Sequence, residues 1–259
     1  MINSLFGHSS GAEYLETKPA FLRTCQRKSP DEVFVPCSTE TIQSLFQNLS
    51  TGFDGLDIKI DPIKLREIKI FSSDGPVSLN TSLSNGVVKG LSNSIVVRSY
   101  INPVDYSWDS NIRIPKLRLE GNYEMGGRIL LLPLQGRGKC WIEPQNLDIK
   151  IHADAKVYEK FGHLFYNITK AQIDFTMSGL RLQLDNLFNG IKLLEDSTNA
   201  FLNENWRPVS DAFKPLIKKT IEDIVIEVIN KIFNFVPAEY LVSDIPHPSE
   251  LYKESKKDN

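Results

Sequence analysis

The apolar residues of DAFKPLIKKTIEDIVIEVINKIF (residues 211–233) fall in adjacent pairs: Ala212/Phe213, Leu216/Ile217, Ile224/Val225, Val228/Ile229 and Ile232/Phe233. Each pair follows the last by four residues or a multiple of four. A helix turns about 100° per residue, so each step of four over-rotates by about 40°. From Phe213 to Phe233 the stripe drifts about 200°, half-way round the helix. The pattern predicts helix from about Asp196 to Phe235, with Pro237 just beyond its end. Pro208 and Pro215 interrupt it, since each removes a backbone donor.

Upstream, Ser38 is placed to cap a short helix whose apolar positions are Ile42, Leu45, Phe46 and Leu49, with Gly52 as its stop. Strand patterns then run for more than a hundred residues. Residues 63–71 and 87–101 are rich in β-branched and apolar types, and Asp74-Gly75-Pro76 and Asn85-Gly86 read as turns. From Ile112 the alternation is clean: Leu117, Leu119, Gly121 and Tyr123 share one face, and Lys116, Arg118, Glu120 and Asn122 the other. Met125-Gly126-Gly127 reads as a turn, and ILLLPL (129–134) as a strand covered on both faces. Leu147, Ile149, Ile151 and Ala153 alternate with polar residues, as do Ile173, Phe175 and Met177. The inward parity then flips to Leu180, Leu182 and Leu184, which predicts a β-bulge at Ser178-Gly179. Long one-sided strands describe a large antiparallel sheet with one apolar face. A spiralling stripe needs that sheet to curve around the helix, because a flat sheet leaves half the stripe in water. The expected class is therefore α+β: a long, highly curved antiparallel sheet wrapped around a long C-terminal helix.

Composition narrows the function. The 259 residues, 41% hydrophobic, suffice for one large domain or two small ones. A formal charge of -2 with no basic stripe argues against nucleic acid as a partner. No window approaches the roughly 18 uninterrupted apolar residues of a membrane span. Cys25 and Cys37 suit one local disulfide with Cys140 unpaired; three reduced thiols in a cytosolic protein fit the count as well. Asn48, Asn80 and Asn167 open glycosylation sequons and tilt toward secretion. MINSLFGHSSGAEYL lacks a basic n-region and a long apolar core, so it does not read as a signal peptide.

Catalytic signals are weak. Gly7-His8-Ser9-Ser10-Gly11 fits the nucleophile-elbow pattern, yet lacks the buried strand before it and the helix after it. His8, His152, His163 and His247 are scattered, with no paired-ligand spacing. Gly136-Arg137-Gly138-Lys139 reads as a turn rather than a phosphate cradle. No enzyme activity, cofactor or metal is expected. Tyr123 points to the apolar face, and its buried phenol needs a backbone or ligand oxygen.

Several blocks, in order, carry a resemblance: PAFLRTCQRKSPDEVFVPC, GFDGLDIKIDPIKLREIKI, VVKGLSNSIV, IPKLRLEGNYEMGGRILLLPLQGRGKC and LFNGIKLLEDSTNAFLNENWRPVSDAFKPLI. Across residues 19–245 the chain resembles the insect juvenile-hormone-binding and Takeout-like family. The resemblance implies one ligand-binding domain over 19–245, between a disordered leader remnant (1–18) and a polar tail (246–259). It implies an internal tunnel for one elongated hydrophobic molecule, a secreted monomeric carrier, a Cys25–Cys37 disulfide, and a leader missing from this chain. The second disulfide of the haemolymph hormone carriers has no counterpart here, so the resemblance is closer to the Takeout branch. Candidate ligand contacts are Leu119, Tyr123, Phe175, Met177, Phe201, Trp206, Phe213 and Ile217. The alternative is an extracellular signalling or interaction protein of the same fold with a filled pocket, acting through a receptor.

Overall fold

The computed structural model describes residues 12–52, 59–73, 76–102 and 104–251. Its first helix, α1 (Asp31–Thr51), starts seven residues before Ser38. Asp31 and Glu32 complement the positive end of its dipole. Ser38 is therefore not a cap but a buried residue inside the helix. Pro36 lies within α1, and Gly52 ends it at φ +96°.

Nine strands follow: β1 (Ile63–Leu65), β2 (Ile68–Ser72), β3 (Val77–Lys89), β4 (Ile95–Ile101), β5 (Trp108–Lys116), β6 (Arg118–Ile129), β7 (Leu132–Lys160), β8 (His163–Thr176) and β9 (Gly179–Leu184). They form one antiparallel sheet in the order β1-β3-β6-β7-β5-β4, with β2 on β3 and with β8 and β9 on β7. The 29-residue β7 is the spine: β6 and then β5 line one edge, β9 and then β8 the other. Two helices close the chain, α2 (Lys192–Glu204) and α3 (Trp206–Phe233). At 28 residues α3 is roughly 42 Å long. The break between them falls at Asn205, just before Pro208, while Pro215 lies inside α3 without ending it.

The parity flip at Ser178-Gly179 belongs to a feature wider than one bulge. On the β5–β6 edge the inward residues pass from Ile112 and Ile114 to Leu117, Leu119 and Tyr123. On β7 they pass from Leu134 and Cys140 to Leu147, Ile149 and Ala153, with Asn146 at φ +47° between them. On the far edge they pass from Ile173 and Phe175 to Leu182 and Leu184. Pairing nonetheless stays in register across the line, from Lys116↔Gln145 to Leu119↔Ile142 and from Asp148↔Thr176 to Gln145↔Gly179. Three neighbouring strands thus turn over together along a transverse crease. An odd step, three residues from Ile114 to Leu117 and seven from Cys140 to Leu147 and from Phe175 to Leu182, keeps apolar side chains inward while the sheet changes direction. Pro115 and Pro144 sit on the crease, where no ladder donor is needed.

Four local readings are corrected, the first being Gly136-Arg137-Gly138-Lys139, which lies inside β7 paired with β6 rather than in a turn. Asn85-Gly86 lies inside β3, where the register against β6 shifts between Ser84 and Val87, so it is a bulge. Met125-Gly126-Gly127 lies inside β6, paired on both sides. Gly127, at φ +141°, is needed because a Cβ would stand 2.1 Å from the Ser78 carbonyl oxygen. ILLLPL is not a doubly covered strand: Leu130-Leu131 is the β6–β7 turn, and Leu131 is 93% exposed. The Asp74-Gly75 turn lies outside the described residues.

The ends are tied down. Leu15 N–H donates to the Phe235 carbonyl at 2.8 Å, and the Tyr240 hydroxyl to that of Glu16 at 2.8 Å. Residues 12–18 are therefore part of the body rather than a loose leader; residues 1–11, with the Gly7–Gly11 motif, lie outside the described part. Cys25 and Cys37 are bonded, and Cys25 also bridges to Val242, joining the N-terminal segment, α1 and the C-terminal segment. Burial pushes the free Cys140 thiol up to about 11. Residues 246–251 are likewise held: His247 Nε2 lies 2.9 Å from Glu159, and Pro248–Leu251 form a helical turn. Asn80 and Asn167 are exposed on strands, while Asn48 is half-buried in α1.

Candidate ligand-binding site

β8 and β9 end the sheet with an edge of backbone groups needing partners. Helix side chains supply them. Asn199 accepts from Leu184 N–H at 2.9 Å and donates to the Leu184 carbonyl at 2.9 Å. Asn203 does the same for Leu182 (3.0 and 2.8 Å), and Asn230 for Ile168 (2.7 and 2.8 Å). Glu222 accepts from Ile173 N–H at 3.1 Å, Lys214 donates to the Phe175 carbonyl at 2.8 Å, and Glu239 accepts from Leu164 N–H at 2.8 Å. Each asparagine amide imitates the donor and acceptor of one residue on a missing strand. This explains an inversion in α2, whose buried residues are Glu195, Thr198, Asn199 and Leu202, while Leu193, Leu194 and Phe201 are exposed.

With its edge held, α3 lies along the apolar face, and its stripe meets four groups of core residues in turn. Val209, Ala212, Phe213 and Leu216 pack around Tyr123, Leu134, Leu184 and Leu202. Ile217, Ile221 and Val225 face Ile112, Ile114, Ile173 and Phe175. Ile224 and Val228 face Ile63 and Leu65. Ile226, Ile229, Ile232 and Phe233 join the largest group, with Trp108 and Tyr166. From Ile217 onward these positions span about 200° of the helix. The sheet covers the whole drift without closing on itself.

The two ends of the helix are packed, and its middle is not. Val209 and Phe233 are the buried residues of α3, and the Phe233 ring lies 4.4 Å from that of Trp108. Every apolar residue of the stripe from Leu216 to Ile232 is only half-buried, as are Leu83, Leu117, Leu119, Ile149, Ile151, Met177 and Leu182 opposite. An accessible apolar strip therefore runs along the helix between two packed plugs. Dense cores leave few such gaps.

The candidate residues sort against this strip. Leu119, Met177, Phe213 and Ile217 are half-buried and meet the stripe; Phe175 is buried, with Lys214 Nζ 5.0 Å from its ring centre. Phe201 is corrected: it is 39% exposed on the outer side of α2. Trp206 is half-buried at the α2–α3 break, with the Arg207 guanidinium 4.6 Å from its ring centre. Tyr123 is 3% exposed and its hydroxyl donates to the Asp185 carbonyl at 2.8 Å. Burial raises its phenol pKa above the usual range. Tyr123→Phe should cost about 1–2 kcal/mol in urea unfolding and leave ligand affinity unchanged. A clear drop in affinity would reassign the hydroxyl to the ligand. Sequence reasoning missed the clamp asparagines, although Asn199 and Asn203, four residues apart, share one helix face. Among the described residues no group of three His, Cys, Asp or Glu is arranged to hold a metal. Nor is any described helix long and apolar enough to cross a membrane.

A helix-wrapping antiparallel sheet with an accessible apolar strip defines a binder of hydrophobic small molecules. The model of the haemolymph juvenile hormone binding protein family matches residues 3–243, and the chain belongs to that family. Its members are binding proteins rather than enzymes. Among relatives, the circadian clock-controlled protein daywake of Drosophila melanogaster is 26% identical over 228 residues, covering 85% of this chain and 86% of that protein. Daywake of Drosophila yakuba is 25% identical over the same length and shares. The crystal structure of Takeout 1 of Epiphyas postvittana superposes with a TM-score of 0.73 at 23% identity, covering 86% of this chain and 99% of that one; this likeness concerns the fold.

Proposed function

We propose that the protein is a secreted carrier that holds one elongated hydrophobic molecule, a terpenoid, juvenile-hormone-like compound or fatty acid, along α3. The observation that carries this reading is the half-buried apolar stripe from Leu216 to Ile232, which faces the apolar side of the sheet between the buried Val209 and Phe233. Binding works by desolvation. Burying roughly 600 Å² of apolar surface, counted on ligand and protein together, contributes about 15 kcal/mol, which after an association cost of about 7 kcal/mol leaves about 8 kcal/mol, a micromolar affinity. No bond is made or broken. The Cys25–Cys37 disulfide and exposed sequons at Asn80 and Asn167 agree with an oxidising, extracellular setting. The same fold with a filled interior would act through its surface instead. Organic extraction of the purified protein followed by mass spectrometry separates the two. A carrier releases a long apolar molecule and binds a fluorescent lipid at micromolar levels. A protein that does neither is not a carrier.

A further inference from the structure

Among the described residues, the longest stretch of the sheet edge without a helix clamp lies where β9 gives way to β8. On β9 the clamps hold Leu184 and Leu182; on β8 they resume at Phe175. By the two-residue alternation of a strand, Leu180 is the next residue whose N–H and C=O face this edge. Among the described residues no helix side chain bonds any of residues 176–181. The gap coincides with the crease of the sheet and the break between α2 and α3. A cleft of about 430 Å³ opens there, lined by Gln145, Gly179, Leu180, Arg181, Asn203 and Trp206. That volume lies within the roughly 300–1,000 Å³ range of ligand sites. By the same alternation Leu180, which lines the cleft, falls on the face of Leu182 and Leu184, and those two pack with the α3 stripe.

The rim is cationic. Arg181 is exposed and forms no ion pair among the described residues, and Arg207 lies over Trp206. The acid opposite Arg181, Glu143, is already engaged by Arg118 at 2.6 Å. Two further acids stand on the adjoining helices, Glu204 at the end of α2 and Asp211 one turn beyond Arg207 on α3, and neither is among the residues lining the cleft.

Building on the carrier reading, we propose that this gap is a side portal to the apolar strip and that it takes long-chain carboxylates. The carboxylate accepts hydrogen bonds from Arg181 and from the Leu180 N–H, while the chain passes Leu180 toward Met177 and Ile217. Trp206, on the junction between the helices, covers the opening. An anionic head satisfies both the free guanidinium and the unclamped backbone donor, which a neutral head does only in part.

The test uses a fluorescent polyene fatty acid and its methyl ester. The wild-type protein should bind the acid about ten-fold more tightly than the ester. Arg181→Gln should reduce that preference to within two-fold while ester affinity stays the same. Trp206→Ala should speed both association and release of the acid at least five-fold, with affinity changed less than two-fold. Equal binding of acid and ester by the wild type, or a preference that survives Arg181→Gln, overturns the carboxylate assignment. Slower association, or weaker affinity with unchanged association, in Trp206→Ala makes the tryptophan a wall rather than a cover and overturns the portal. Ester binding in either case leaves the carrier reading standing; a wild type that binds neither probe removes both proposals.

Discussion

Asn199→Leu should lower the unfolding free energy by about 2–4 kcal/mol, although leucine is larger and more apolar and the site is 5% exposed. The substitution strips partners from the N–H and C=O of Leu184, and each buried backbone group left without one costs about 1–3 kcal/mol. Leucine recovers part of this by burying apolar surface. Asn230→Leu should behave similarly through Ile168. In a chain this size the loss corresponds to a Tm lowered by roughly 5–15 °C. Calorimetry with the Cys25–Cys37 bond intact reads it directly. An unchanged or raised Tm for both variants would mean that the amides do not stand in for a strand.

The second large effect is on binding. Ile221→Trp places a bulky ring on the half-buried part of the stripe, opposite Ile173 and Phe175. Overpacking a dense core costs about 1–3 kcal/mol. Here the ring enters accessible space, so stability should change by less than about 1 kcal/mol. Affinity for a long-chain probe should fall about thirty-fold or more, the equivalent of roughly 2 kcal/mol. The joint readout is decisive: a destabilised variant that still binds would place the ligand elsewhere and make this stretch ordinary core.

What the sequence made legible follows from which patterns are local. The drift of the α3 pairs is set by helical geometry alone, and it implies a curved cover whatever the partner. The parity flip at Ser178-Gly179 was visible for the same reason. Its equivalents between Ile114 and Leu117 and between Cys140 and Leu147 appear as a single crease only once the strands are side by side. Turns were misread where glycine serves something else. Gly127 admits the Ser78 carbonyl, and the true turn at Leu130-Leu131 holds leucine at φ +54°, which no composition rule flags. Phe201 was misplaced because aromatic residues are expected to face inward. In α2 the inward face is given to Glu195 and Asn199, which bond the edge backbone at Leu187 and Leu184, and the outward face keeps Phe201 and Leu193. The need for that inversion is tertiary and leaves only the four-residue spacing of Asn199 and Asn203 as a trace.

The central claim is that one elongated ligand lies along α3 inside the curved sheet. Photo-crosslinking with a long-chain diazirine lipid, mapped by peptide mass spectrometry, tests it most directly. The account predicts adducts on the stripe between Leu216 and Val228 and on facing residues such as Leu119, Ile149 and Met177. Adducts confined to outward residues such as Leu193, Phe201 and Leu131, or none at saturating probe, would contradict it.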